Sequence, residues 1–330
     1  MQTMKIRTDM EKQTRNGKGL SEVARLAQVS PGTVSRVFNN SSSIPNETKL
    51  RVFSAARKLR IRPRVGVRTK QIALITEPPH KTVMGGYVNT MTQYICFALS
   101  RANAGITLIT EDEIEKLANC WFDGIIGIAW EEKTISMLEK IPNVPIVWLS
   151  DIRKDRFHSV FSDFAASGRL AGEYLAGRGH RKIAVIHDPD YAGHLRVDTL
   201  TATLAEHGID PERNLFAFPN NLPLHLSVKQ LIDAGCTAVW VTGEDMKVIE
   251  VNWLIQELAG KRIPDDISLI GFENPGISEF LRPSLTTLAS PLREMAEKAA
   301  ELVLRDEMGE LEQIKLPMHL IERNSVASLK

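Results

Sequence analysis

The chain has 330 residues, 43% of them hydrophobic, and a formal net charge of +1, which allows two or three globular domains. No apolar run approaches the roughly 20 residues that span a bilayer. The basic N-terminus has no apolar h-region, so neither a membrane span nor a secretory signal is expected, and a cytoplasmic protein fits. The net charge conceals a division: 16 Lys+Arg against 4 Asp+Glu up to Lys70, a net of +12, and 25 against 36 from Gln71 onward, a net of −11. A basic head that can neutralise phosphates precedes an acidic body that phosphates repel.

Residues 1–18 are polar, lack helical periodicity and are expected to form a flexible extension. A first helix is predicted from about Leu20 to Ala27, where Leu20, Val23, Ala24 and Ala27 form an i, i+3, i+4, i+7 stripe. The second is predicted to open at Ser30 as N-cap, with Pro31 in the first helical position, where a missing N–H costs nothing. Its inner face is Val34, Val37 and Phe38, which leaves Gly32, Thr33, Ser35, Arg36 and Asn39 outward. A third helix, about Asn46 to Leu59, brings Leu50, Val52, Phe53, Ala56 and Leu59 to a small shared core. Two short helices joined by a tight turn, the second polar and slim, suit the DNA major groove.

From Gln71 onward short apolar runs alternate with helical patterns. Strands are predicted at 72–76, 105–110, 124–129, 146–150, 183–187, 238–242 and 267–272, with helices such as 90–103 and 164–177 between them. Near-continuous apolar strands with intervening helices indicate a parallel sheet covered on both faces, and such folds bind ligands at the carboxyl ends of the strands. Gly177-Arg178-Gly179-His180-Arg181 follows a helix and precedes a strand, the reverse of a phosphate loop. It is read as a helix-to-strand turn with Gly179 at C′ and a structural His180. Cys96, Cys120 and Cys236 lie far apart in apolar contexts and are expected to be buried thiols. No CxxC or HExxH motif is present, and no metal or cofactor is expected.

ARLAQVSPGTVSRVFNN, followed by IPNETKLRVFSAARKL, resembles the DNA-binding head of the lactose-repressor (LacI/GalR) family of bacterial regulators. Several body segments are similar to the same family: FSDFAASGRLAGEYLAGRGHRKIAVI, RVDTLTATLAEHGI, RIPDDISLIGFEN and RPSLTTLASPLREMAEKAAELVL. The resemblance covers nearly the whole chain after about residue 19. It implies an α-helical helix-turn-helix head at 19–62, a linker at 63–70, and at 71–330 an α/β periplasmic-binding-protein type I body. That body would have two Rossmann-like lobes, the first about 71–160 and 287–312, the second about 161–286 and 313–330, with a ligand in the cleft. By the same resemblance Pro31 and Gly32 occupy two base-reading positions and Arg36 the arginine that reads guanine. Ser30, Thr33, Ser35 and Asn39 lie at phosphate-positioning or minor base-contact sites.

The linker departs from the family pattern. Members usually place there a hinge helix whose leucine wedges into the minor groove. Here residues 62–70 contain no leucine, and Pro63 and Gly66 discourage a helix. Either there is no wedge, with less kinking of the DNA, or Val65 or Val67 replaces the leucine; Arg57, Lys58, Arg60, Arg62, Arg64, Arg68 and Lys70 could track phosphates instead.

For the effector, Arg196 matches an arginine that commonly holds sugar hydroxyls or a carboxylate. Glu244 and Asp245 stand where the family usually has Asn-Asp, and Glu273 where it usually has Asp. Glu77, Tyr87 and Phe218 are weaker matches. These positions imply a repressor acting as a homodimer on a double-stranded DNA operator, its affinity set by a sugar-like ligand. A solute-binding receptor of the same fold is the alternative, but it would need an export signal and no basic head. An enzyme would need a nucleophile–base pair or a phosphate loop, and neither GxSxG nor GxxxxGK[ST] occurs. His187 with Asp188 is the nearest to a catalytic pair, and adjacent strand residues point to opposite faces.

Overall fold

The computed structural model describes residues 19–39, 41, 43–63, 69–82, 86–129, 131–150, 155–219, 221–243, 246–305 and 309–329. The expected extension at 1–18 and most of the linker lie outside them, as do the candidates Arg64, Glu244 and Asp245.

The head is three helices: α1 (residues 19–27), α2 (Pro31–Phe38) and α3 (Asn46–Lys58). Gln28 adopts a left-handed φ of 56°, which turns the chain tightly between α1 and α2. The first turn of α2 is closed by Ser30, whose hydroxyl accepts from the Thr33 N–H at 3.1 Å and so satisfies one of the donors a helix start leaves open. Val23, Ala24, Ala27, Val34, Val37, Ile44, Val52, Phe53, Ala55 and Ala56 form the head's core. Leu50 does not join them. It is 41% exposed, because the stripe of α3 that faces inward runs through Val52, Phe53 and Ala56, and Leu50 falls off that face.

Beyond the head the chain forms two six-stranded sheets. The first contains β1 (Gln71–Thr76), β2 (Gly105–Thr110), β3 (Gly124–Ile128), β4 (Ile146–Trp148), β5 (His158–Ser162) and β11 (Gln313–Leu316), in the order β2-β1-β3-β4-β5-β11. The second contains β6 (Ile183–His187), β7 (Leu215–Pro219), β8 (Ala238–Val241), β9 (Ser268–Phe272), β10 (Thr286–Ala289) and β12 (His319–Ile321), in the order β7-β6-β8-β9-β10-β12. β1 pairs parallel with β2 and β3, and β6 parallel with β7 and β8, while β12 pairs antiparallel with β10. The helices are α4 (Tyr87–Arg101), α5 (Glu132–Leu138), α6 (Phe164–Gly177), α7 (Tyr191–Glu206), α8 (Pro211–Asn214), α9 (Leu224–Asp233), α10 (Lys247–Trp253) and α11 (Leu292–Val303), with a 3-10 helix at Glu111–Asn119.

By contacts the chain divides into two compact units. One is residues 1–78, 94–159 and 296–313, the head included; the other is 79–93, 160–295 and 314–330. The part of the first unit beyond the head is called lobe one below, and the second unit lobe two. Thr286–Ala289 pairs parallel with β9 in the second sheet. Gln313–Leu316 lies beside β5 in the first sheet, where the Asp163 N–H donates to the Leu316 oxygen at 2.9 Å.

Lobe two shows how a strand buried on both faces is packed. Ala184, Ile186, Val239, Val241 and Leu269 enter one apolar cluster with α9 and α10. Their neighbours Ile183, Val185, Ala238, Trp240 and Ile270 enter another with α6 and α7. Each such valine, leucine or isoleucine contributes roughly 1.5–3 kcal/mol by leaving water. α6 and α7 touch closely because Gly168 and Gly172 face α7: a Cβ on Gly168 would stand 2.4 Å from the Arg196 oxygen. α6 ends at Gly179, whose φ of +88° supplies the left-handed C′ residue expected there. His180 is fully buried, its ring nitrogens 2.9 Å from Thr237 Oγ1 and 3.2 Å from the Ala327 oxygen. Burial holds its pKa below the ordinary imidazole value. Of the three thiols only Cys236 is buried, with its pKa pushed up to about 11. Cys120 is exposed, contrary to expectation, because it stands in the loop before β3.

Candidate DNA-reading face and effector cradle

The outward face of α2 is assembled by one short helix. Ser30, Pro31, Gly32, Ser35, Arg36 and Asn39 are exposed and Thr33 half-buried, while Val34 and Val37 anchor the helix from beneath. The Ser30 and Thr33 hydroxyls lie 2.9 Å apart. Both are therefore engaged in the cap, and a phosphate would meet them as a fixed pair. The expected site residues other than Arg64 thus share one surface, and no helix but α2 is needed to present them. Arg57 does not join the phosphate-tracking cations expected near it. It is 7% exposed, and its Nη2 donates to the Cys120 oxygen at 2.9 Å.

The second site lies in lobe two at the carboxyl ends of its strands. Arg196, on α7, is 4% exposed. Its guanidinium lies 4.9 Å from the ring of Phe164 and 4.7 Å from that of Phe272. Nη1 donates to the Thr242 oxygen, just past β8, at 3.1 Å. Two aromatic faces and a carbonyl replace water around the buried charge. The Thr242 hydroxyl beside it is buried with no hydrogen-bond partner among the described residues. α7 is started by Asp190, whose carboxylate accepts from the Gly193 N–H at 2.7 Å. His187, at the end of β6, and His194, on α7, place their rings 5.5 Å apart. His187 Nδ1 meets the Asp188 carbonyl at 2.9 Å. The Asp188 carboxylate pairs with Lys247 at 3.4 Å.

The remaining sequence candidates separate. Glu273 is held bidentately by Arg323, Nη1 to Oε2 at 2.8 Å and Nη2 to Oε1 at 3.0 Å, and Thr287 donates to the same carboxylate. Its acceptor sites are directed into the protein. Phe218 packs on the apolar cluster around Ile186 and Leu224. Glu77 and Tyr87 are half-buried. Phe164, Phe272, Thr242, His194 and Arg323 were not legible as site residues.

A model of the lacI family of bacterial regulatory proteins matches residues 19–64, and a periplasmic binding protein-like domain matches residues 173–326. The chain is thus similar to lacI-family regulators in its head and to periplasmic binding proteins over much of its body. It is 28% identical over 342 residues to the HTH-type transcriptional repressor PurR of Salmonella newport, covering 93% of this chain and 96% of that one. A LacI family transcriptional regulator from Enterococcus faecium, solved with bound ribose, is 27% identical, with a TM-score of 0.66 over 79% of this chain and all of that one. A transcriptional regulator CelR–cellobiose complex shares the fold, with 24% identity and a TM-score of 0.67 over 93% of this chain and 99% of that one. The lac repressor dimer bound to operator and the anti-inducer ONPF also shares it, with 21% identity and a TM-score of 0.66 over 92% and 98%. Among the described residues no helix is long and apolar enough to cross a membrane, and no cluster of metal-ligating side chains occurs.

Proposed function

We propose that this chain is a cytoplasmic transcriptional repressor that binds a near-palindromic operator as a homodimer, and that a sugar or sugar derivative held against lobe two controls its affinity. The observation that carries the reading is the exposed face of α2, where Pro31, Gly32, Ser35, Arg36 and Asn39 stand free of the head's core. Arg36 is assigned to a base edge, as a planar fork suits guanine. Ser30, Thr33, Ser35 and Asn39 are assigned to phosphates or secondary base contacts, and Pro31 and Gly32 to apolar contact. A two-fold operator is the counterpart of a two-fold protein.

For the effector, Arg196 is the anchoring residue. Its side chain is set between Phe164 and Phe272 before any ligand arrives, so a ligand hydroxyl or carboxylate meets donors in a fixed plane. His187, His194, Asp188 and Lys247 bring further polar groups to the same strand ends. Glu244 and Asp245 stay candidates on the strength of the resemblance, whereas Glu273 is assigned to the ion pair with Arg323.

The deciding experiment has two halves. Selection of double-stranded DNA from a random pool with the purified chain should return a two-fold symmetric site. A thermal-shift panel of monosaccharides, uronic acids, disaccharides and purines, run beside Arg196→Ala, should give a stabilising ligand that the variant loses. Occupancy at 100 times Kd raises stability by about 2.7 kcal/mol. A pool that returns no enriched site refutes the regulator reading, and a ligand bound equally by the variant refutes the cradle.

A further inference from the structure

Lobe one grips the head away from the exposed residues of α2. Trp121, in the loop before β3, turns its ring toward the head: it lies 6.1 Å from Phe53 and 6.5 Å from Phe38, and those two rings stack at 6.4 Å. Arg57 of α3 lies over the same indole, 5.6 Å from its centre, and donates to the neighbouring Cys120 oxygen at 2.9 Å. From lobe one Asn143 reaches back, its Nδ2 donating to the Arg57 carbonyl at 3.0 Å. The grip is itself braced. Trp121 Nε1 donates to Asp123 Oδ1 at 3.1 Å, and Asp123 Oδ2 accepts from the Gln71 N–H at 2.8 Å, where β1 begins.

Three properties distinguish this contact from incidental packing. An arginine in a basic head is taken out of water, while Arg51 and Lys58 on the same helix stay exposed. Such a burial is unfavourable unless the charge is held by specific partners, and its partners here are an indole face and a carbonyl of lobe one. The contact includes Phe38, the last residue of α2, so the reading helix is touched by lobe one directly. Finally, the outward residues of α2 remain exposed with the contact in place, so the head is held without being covered.

We infer that Trp121, Cys120 and Asn143 form a latch that mounts the DNA-binding head on lobe one, so that lobe one sets the bearing of the reading helix through Phe38, Phe53 and Arg57. The attachment works independently of the linker, and whatever turns lobe one turns the reading helix with it. The consequence for DNA rests on the regulator reading; the mounting itself does not. In a dimer, heads fixed to their lobes stand a fixed distance apart and accept one half-site spacing, whereas heads tied only by the linker accept several.

The test uses the full chain in two arms. In the first, hydrogen exchange is followed in wild type, Trp121→Ala and Asn143→Asp. The second variant is isosteric, suits the left-handed φ of 57° at that position, and places an acceptor against the Arg57 carbonyl. Exchange in peptides from α3 should rise at least tenfold in Trp121→Ala and a few-fold in Asn143→Asp, with peptides from β6 and α7 unchanged. Unchanged exchange of α3 in both variants overturns the latch. If Trp121→Ala also loosens β1 and β3 it has disturbed lobe one, and Asn143→Asp alone decides. In the second arm, a selected operator is altered by inserting single base pairs between its half-sites. Wild type should prefer one spacing at least tenfold, and Trp121→Ala should reduce that preference to under threefold. An equal preference in both proteins also overturns the proposal. A failure to select any operator refutes the regulator reading, and the exchange arm then decides the mounting by itself.

Discussion

The α2 face and the Arg196 cradle are both arginine sites, and they are built in opposite ways. Arg36 stands exposed on a helix whose site residues all fall within ten consecutive positions. Arg196 is 4% exposed and surrounded by Phe164, Thr242 and Phe272, drawn from three other segments of the chain. A surface that must meet a polyanion from solution keeps its arginine hydrated and free to adjust. A site that must choose among small neutral or weakly acidic molecules benefits from a charge already desolvated and oriented, where each hydrogen bond discriminates strongly. The same residue type is thus exposed in one place and packed into the fold in the other.

That contrast can be broken by removing each arginine. Arg196→Ala is expected to cost about 2–4 kcal/mol in urea unfolding, since it empties a packed site, and to abolish ligand-induced stabilisation. Arg196→Met, which fills the space without the charge, should recover most of the stability and none of the ligand response. A variant at Arg196 that unfolds like wild type would show that the cradle is not integral. Gly168→Ala tests the same region through the backbone: its new methyl meets the Arg196 oxygen at 2.4 Å and the Leu200 nitrogen at 2.8 Å. Separation of α6 from α7 should cost about 1–3 kcal/mol and weaken ligand binding as well; an additive loss of stability alone would show that α7 tolerates displacement.

On the head, Arg36→Ala should leave stability within about 0.5 kcal/mol while losing about 1–3 kcal/mol of discrimination at one base pair of the operator. Equal weakening on all sequences would reassign Arg36 to phosphate. Acid offers a third comparison. Burial holds the pKa values of His158, in lobe one, and His180, in lobe two, below the ordinary imidazole value. As pH falls the unfolded chain therefore takes up protons first, near pH 6.5. Stability is whole above that pH and declines below it, by up to about 1.4 kcal/mol per pH unit for each histidine. Urea midpoints between pH 7.5 and 5.5 should fall, less steeply in His158→Gln, and a flat profile would refute the assignment. The smallest effect is expected from Gly32→Ala. A Cβ there meets nothing nearer than Ser30 Oγ at 3.8 Å, so stability should hold or rise by less than about 1 kcal/mol. Only base preference should move, which selection of new operators would reveal.

Much of this was legible from the chain alone wherever a pattern is local. The three head helices, the Ser30 cap, the Gly179 turn and the seven apolar strands follow from spacing and turn chemistry within a dozen residues. Most strands that were not read are short or lie at sheet edges: β7 is only half-buried, and β11 and β12 carry Gln313, Lys315 and His319 among their few residues; β5 is buried and internal, but His158, Ser159 and Ser162 interrupt its apolar run. Leu50 misled because hydrophobicity was given precedence over helical phase. Of the proposed effector cradle only Arg196 was legible, since Phe164 and Phe272 are recruited by tertiary contact and look like ordinary core. Glu273 stood in a suggestive position, but Arg323, 50 residues later, claims its carboxylate. The latch was illegible for the same reason, as Arg57 meets partners 63 and 86 residues away.

The second sheet has a consequence in time. The head's core is drawn from residues 23–56, whereas that sheet takes strands from β6 at 183 through β12, which ends at 321. Local contacts form quickly, and non-local parallel pairings wait on loop closure. During synthesis the head is complete before most of lobe two has been made. A growing or prematurely ended chain therefore presents the proposed DNA-reading helix before the proposed cradle exists, and on that reading control by a ligand is the last property the protein acquires.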